Sequence, residues 1–237
     1  PIQYESNQAV DSNRGFTPST IRPATAVELF VLDTPLLSDA DEQINRTAAP
    51  LYWGMSGYQD NAFDRGFLYV SADAERFEEI GFSTSPVRWG RTVSVMPDPN
   101  PSFIFSTEEN TFVDVAMQVG GSTLESITQD EMLRGINAAA FIKSTGEVEV
   151  IGFRDVEVLG NNVYRLSGFL RGIRGTDTMA YGHALSERFV ILSNSVRNTY
   201  AVELASLNLS RFFKAVGRGE NFDTVPTDSF TRVSRNS

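Results

Sequence analysis

Apolar and polar residues alternate in short runs along this chain, and proline, glycine or asparagine cuts off each run. AVELFVLD (26–33) mixes β-branched and aromatic residues and stops at Pro35. LYWGM (51–55) leads through Gly57 into GFLYVSAD (66–73), and RTVSVM (91–96) alternates until Pro97, Pro99 and Pro101. TFVDVAM (111–117), RFVIL (188–192) and TYAVEL (199–204) carry the same signature. Such runs, bounded by turn formers, predict strands. Over 138–170 they predict a meander: AAFIKS and EVEVIGF flank Thr145–Gly146, while FRDVEVL and VYRLSGFL flank Gly160–Asn161–Asn162. Gly and Asn tolerate the positive φ of tight hairpins.

Helix is expected once, from Thr128 to Arg134. Thr128 and Glu131 have capping-box spacing, and Gly135 can close the last turn. With so little helix to make crossovers, parallel sheets are not expected. The fold class is therefore all-β, as antiparallel β-sandwich or meander units with one short helix. Three prolines in five residues cannot sit in a central strand, which sets a boundary near 97–102. The expected layout is an extended connector (1–25), a β unit (26–100), a second β unit with the helix (101–210) and a C-terminal arm (211–237).

Charge narrows the function classes. Twenty basic against 30 acidic residues give a net charge of −10 over 237 residues, a surface that repels phosphate backbones, so nucleic-acid binding is not expected. Acidic residues crowd 28–79, whereas Arg211, Lys214, Arg218, Arg232 and Arg235 make the end basic. A solvated acidic face explains this asymmetry; head-to-tail or self-association is the other reading. No apolar run reaches the roughly 20 residues of a membrane-spanning helix. Cysteine is absent and His183 is the only histidine, which removes disulfides, thiolate chemistry and any site needing two imidazoles. No cofactor is expected.

The most distinctive string is LSGFLRGIRGTD (166–177). A strand ending at Phe169–Leu170 enters a tight turn at Gly172 and Gly175, from which Arg171 and Arg174 project, with Thr176 and Asp177 behind. Walker spacing and its lysine are missing. The expected role is a structural turn pinned by arginine on Asp177 or on main-chain carbonyls, with an anion or partner contact as the alternative. His183 has Ser186 and Asp177 nearby in sequence, but no G-x-S-x-G elbow occurs, so it reads as a hydrogen-bonded loop residue. The Asp-rich loops SDADE (38–42) and SADAE (71–75) lack the spacing of an EF-hand. Carboxylates in 28–79 are numerous enough for a glycosidase pair without singling one out. Tyr52 and Trp53, beside an expected bend at Gly54 and Gly57, are candidates for stacking on a sugar, against a core role.

Taken in order, these segments resemble the late portion of the baseplate hub of siphophage-like tails and gene transfer agents. ELFVLDTPLLSDADE (28–42), LYWGMSGY (51–58) and LYVSADAERFEEIG (68–81) precede the proline break. NAAAFIKSTGEVEVIGFRDVEVLGNNVYRLSGFLRGIRGTD (137–177) then runs on to GHALSERFVIL (182–192). FLRGIRGTD followed by Gly–His and FVIL is the strongest element, and the resemblance covers about 26–200. The hydrolase-like barrel and further β-sandwich modules of larger hubs are not within these residues, so no enzymatic activity is carried over. A segment of a larger hub, or a shortened relative, fits this span. The resemblance implies a virion structural part. It would be a three-fold ring contacting distal tail and fibre proteins, made in the host cytoplasm, with possible attachment to a host surface glycan or receptor. A glycan- or receptor-binding module and a cell-wall polysaccharide hydrolase are the alternatives.

Overall fold

The computed structural model describes residues 26–34, 37, 48–57, 63–100, 106–118 and 123–232. The expected connector 1–25, the acidic loop 38–42 and Tyr58 lie outside these. Within them run β1 (Val27–Leu32), β2 (Ala48–Gly57), β3 (Gly66–Ser71), β4 (Glu78–Ser83), β5 (Trp89–Thr92), β6 (Glu108–Met117), α1 (Gln129–Leu133), β7 (Ala138–Ile142), β8 (Val148–Gly160), β9 (Val163–Leu170), β10 (Arg188–Ile191), β11 (Asn198–Glu203), β12 (Ser210–Gly217) and β13 (Asp228–Thr231). Every described strand pair is antiparallel. Among the described residues the structure shows the all-β class with one short α-helix.

The strands make three layers. β10-β5-β6-β9-β8-β7 close into a barrel, β1-β2-β11 form a three-stranded sheet, and β13-β12-β3-β4 form a four-stranded one. Three apolar clusters hold them together. Val113, Val115, Phe141, Ile151, Phe153 and Phe189 belong to the cluster that fills the barrel. Phe30, Leu32 and Tyr52 meet Trp89, Val150 and Val190 between barrel and middle sheet. Leu51, Trp53 and Met55 meet Leu68 and Phe213 between the two open sheets. The sequence pattern does not separate a closed barrel from a sandwich, because both alternate with period two.

Strand β2 explains the apolar run at 51–55. It is the central strand of the middle layer, so both of its faces are buried along its whole length. Pro50 is tolerated because only β11 pairs with that half of β2, while β1 covers Tyr52–Gly57. No bend occurs at Gly54. A Cβ there would stand 2.5 Å from Val87 Cγ2 and 2.6 Å from the Ser195 carbonyl, so this glycine serves close packing.

Helix α1 is capped as expected: Thr128 accepts from the Glu131 N–H, Glu131 accepts from the Thr128 N–H, and Gly135 has φ +85°. The expected strand 91–96 stops at Thr92, where the Ser94 hydroxyl takes the Asp114 N–H at 2.8 Å in place of a ladder carbonyl. EVEVIGF and FRDVEVL are one strand, β8, which pairs with β7 through Gly152 and with β9 from Gly152 onward.

Two features of the expected layout are corrected. Residues 210–217 are no arm but strand β12, with Phe213, Ala215 and Val216 buried. The prolines near 97–102 do not divide two units either, because β11 pairs with β2 and β12 with β3. Layers form between segments far apart in sequence.

Candidate functional site

The chain leaves β9 at Leu170 and crosses toward β10 through two short 3-10 turns, Ile173–Gly175 and Asp177–Met179. The first turn needs left-handed backbone at Gly172 (φ +58°), Arg174 (φ +60°) and Gly175 (φ +79°). A Cβ on Gly172 would lie 2.4 Å from Asp177 Cα, so the turn closes too tightly there for any side chain. Thr176 is wholly buried; its hydroxyl accepts the Val150 N–H at 2.9 Å and donates to the Ile173 carbonyl at 2.9 Å.

Beneath this turn lies a buried ionic cluster. Arg171 donates to both carboxylate oxygens of Glu149, Nε to Oε1 at 2.8 Å and Nη2 to Oε2 at 3.1 Å. The same guanidinium donates to the carbonyls of Pro97 at 2.9 Å and Ala180 at 2.8 Å. The Gly172 N–H adds a further bond to Glu149 Oε1 at 2.9 Å. His183 Nε2 stands 2.9 Å from Glu149 Oε2, an ion-pair contact without the alignment of a hydrogen bond. Its Nδ1 lies 2.6 Å from Glu187 Oε2. Glu187 also accepts the Ala184 N–H, and the Glu187 N–H donates to the Thr92 hydroxyl. Glu108 closes the group, 3.9 Å from Arg171 and accepting the Asn100 N–H.

Both imidazole nitrogens of His183 face carboxylates, an arrangement that favours the protonated ring. Burial alone would lower its pKa, but Glu149 and Glu187 raise it above 6.5. Burial by itself raises the Glu149 carboxyl, and its pairing with His183 and Arg171 brings it below 4.5. Charges so far from water are tolerated only because each is paired and hydrogen-bonded.

This arrangement revises the expected pairing. The arginine pin exists, and it uses main-chain carbonyls as expected, but its carboxylate is Glu149 rather than Asp177, which is exposed. Ser186 and Asp177 do not engage His183. With both ring nitrogens committed to glutamates, the histidine has no free acceptor for a serine proton. Glu149 is legible in sequence only as an acid inside EVEVIGF. Apolar residues line both faces of that strand, so alternation does not mark it as the inward charge.

The remaining candidates also resolve into structure. Tyr52 is 0% and Trp53 4% exposed, so neither offers a ring to a sugar; both are interlayer core, and the Tyr52 hydroxyl accepts the Leu37 N–H at 2.8 Å. Asp73 in the 71–75 loop accepts from Ser71 and from the Glu75 and Arg76 N–H groups. The main-chain bonds from Arg76 and Glu75 hold its carboxyl down at about 2. Glu28 pairs with Arg188 at 2.7 Å, Asp64 with Arg218 at 2.7 Å, and Asp33 with Arg232. Among the described residues no cluster of His, Cys, Asp or Glu is suited to a metal ion, and no helix is long and apolar enough to cross a membrane.

Comparison with curated proteins returned no match. One family model does match, over less than half of the chain. Residues 87–190, which carry the whole barrel but for the last residue of β10, together with its Arg171–Glu149–His183 pin, are similar to the family described as Rcc01698-like, C-terminal.

Proposed function

We propose that this chain is a structural part of the tail tip of a bacteriophage or phage-like particle, acting through shape and through contacts with neighbouring chains. The observation that carries this reading is the fate of its most distinctive motif. Arg171, Glu149, His183 and Glu187 are buried in mutual pairs that fix a turn at the barrel wall. Residues so placed stabilise a scaffold and present nothing to a substrate. The order of motifs resembling hub proteins, and the family match over the barrel, support the same reading. In it, three copies form a ring joined to distal tail and fibre proteins.

The sheets add physical support. β1 and β11 border the middle sheet, and β4 and β13 border the four-stranded one. Such edges present main-chain groups that assemblies cover with neighbouring chains. The glycan-binding alternative has lost its named residues, Tyr52 and Trp53, to the core. The hydrolase alternative has no carboxylate pair singled out in its favour.

The test is quantitative mass spectrometry of particles purified from the producing strain, before and after deletion of the coding segment. The proposal expects this chain in wild-type particles and tails with incomplete tips after deletion. Normal particles that never contain the chain overturn it.

A further inference from the structure

The segment that joins β9 to β10, residues 171–187, is fastened to the barrel by polar contacts and hardly at all by apolar packing. It supplies no buried residue to the three apolar clusters, and Ile173 packs against one of them only from its margin. Its buried side chains are Arg171, Thr176, Ala180, His183 and Glu187, four of them polar. The Thr176 hydroxyl takes the Val150 N–H of β8, Lys143 Nζ donates to the Tyr181 carbonyl at 2.6 Å, and the Gly182 N–H donates to Asp98. A segment with many polar contacts and little buried apolar surface can open separately from a core.

His183 stands at the centre of that fastening. Glu149 of β8 faces its Nε2 at 2.9 Å, and Glu187, at the far end of the segment, faces its Nδ1 at 2.6 Å. Arg171 pairs with Glu149, and Glu108 of β6 stands 3.9 Å from that arginine. From β7 the apolar Phe141 ring lies 5.5 Å from the imidazole, and from β5 the Thr92 hydroxyl takes the Glu187 N–H. The three acidic and two basic side chains of this group are each at most 4% exposed. A neutral imidazole keeps one N–H, so its other nitrogen turns a lone pair toward a carboxylate. Arg171 is then the one cation left among three acids, in a setting where water cannot screen the imbalance.

We infer that residues 171–187 are a proton-controlled latch: with His183 protonated they close on the barrel, and loss of that proton releases them while the strands stay paired. Release frees the Val150 N–H and uncovers Glu149, which is fully buried in the closed state. The direction follows from linkage. The released ring has its ordinary value of 6.5 and the closed ring a higher one. Release therefore becomes easier by up to about tenfold per pH unit above 6.5, and levels off once the closed ring itself titrates. This latch needs no neighbouring chain, so it stands apart from the assembly reading.

Native-state hydrogen exchange of the full chain, followed by NMR at low urea concentrations from about pH 6 upward, tests the latch. The N–H groups of Val150, Gly172 and Gly182 report release, and those of Val113, Leu166 and Val190 report the barrel. The first group should exchange through an opening that urea hardly promotes, because little surface is exposed. Its protection should fall by about tenfold per pH unit above 6.5 before levelling. The barrel amides should stay the better protected at every pH and keep a steep urea dependence. His183→Gln should show low protection of the first group at every pH, with the thermal midpoint reporting whether it folds. Glu187→Gln, which leaves the ring one carboxylate, should show a smaller fall that levels at a lower pH. Protection of the first group that ignores pH, or a urea dependence equal to that of the barrel, overturns the latch. So does a Glu187→Gln chain whose exchange follows pH as the unsubstituted chain does.

Discussion

Arg171 and Glu149 lie 22 positions apart in sequence and share two hydrogen bonds, of 2.8 and 3.1 Å, in a setting almost closed to water. Arg171 directly follows β9 and Glu149 sits in β8, so the pair ties the turn after the hairpin back to the barrel. Removing one partner leaves the other charge buried and uncompensated. Glu149→Gln should therefore cost about 3–5 kcal/mol, and Arg171→Met a similar amount. The double variant should lose less than the sum. Urea denaturation of the three variants checks this, and strict additivity would mean the two residues are not coupled.

The single histidine makes a pH experiment clean. The folded-state pKa of His183 is raised above its unfolded value of 6.5. Its contribution is therefore complete below pH 6.5 and lost as pH rises through the folded value. For Glu149 the folded value is below 4.5, so its contribution is present above 4.5 and lost as pH falls through the folded value. Stability should decline on both sides, and the alkaline decline should disappear in His183→Gln. Urea midpoints against pH read both limbs, and imidazole NMR reads the titration of the ring itself.

Gly172 and Gly175 both have positive φ, but they differ in surroundings. A methyl group on Gly175 meets nothing within 4 Å, whereas one on Gly172 collides with Asp177 main chain. Gly175→Ala should cost about 1–2 kcal/mol, the ordinary left-handed penalty. Gly172→Ala should cost clearly more and lower the thermal midpoint further. Equal midpoints would show that the turn can open without penalty.

Tyr52→Phe removes the acceptor of the buried Leu37 N–H and should cost about 1–3 kcal/mol. Trp53→Ala should cost about 3–5 kcal/mol through lost packing between the sheets. Differential scanning calorimetry measures both. A Trp53→Ala chain of unchanged stability would contradict its place in the core.

What can be read from the chain alone follows how local each feature is. The Thr128–Glu131 cap and the Gly160–Asn162 hairpin are set within a few residues, and both occur in the structure as expected. Strand β12 reads as an arm because the stretch after it is poor in apolar residues; it pairs with β13 just beyond that stretch and with β3, more than a hundred residues earlier. Tyr52 and Trp53 look exposed in sequence because Gly54 suggests a bend. Only the packing of Val87 and Ser195 against that glycine reveals a flat, doubly buried strand. The pin is partly legible: Arg171 and His183 stand out in a distinctive string and Glu187 lies four residues after His183, while Glu149 is joined to them only by the closing of the barrel.

The most direct test of the account is a cryo-EM map of the intact particle at a resolution that traces side chains. The account predicts this barrel in three copies around the tail axis at the tip, with neighbouring chains covering open sheet edges. A tip built wholly from other chains, with this polypeptide absent, would contradict it.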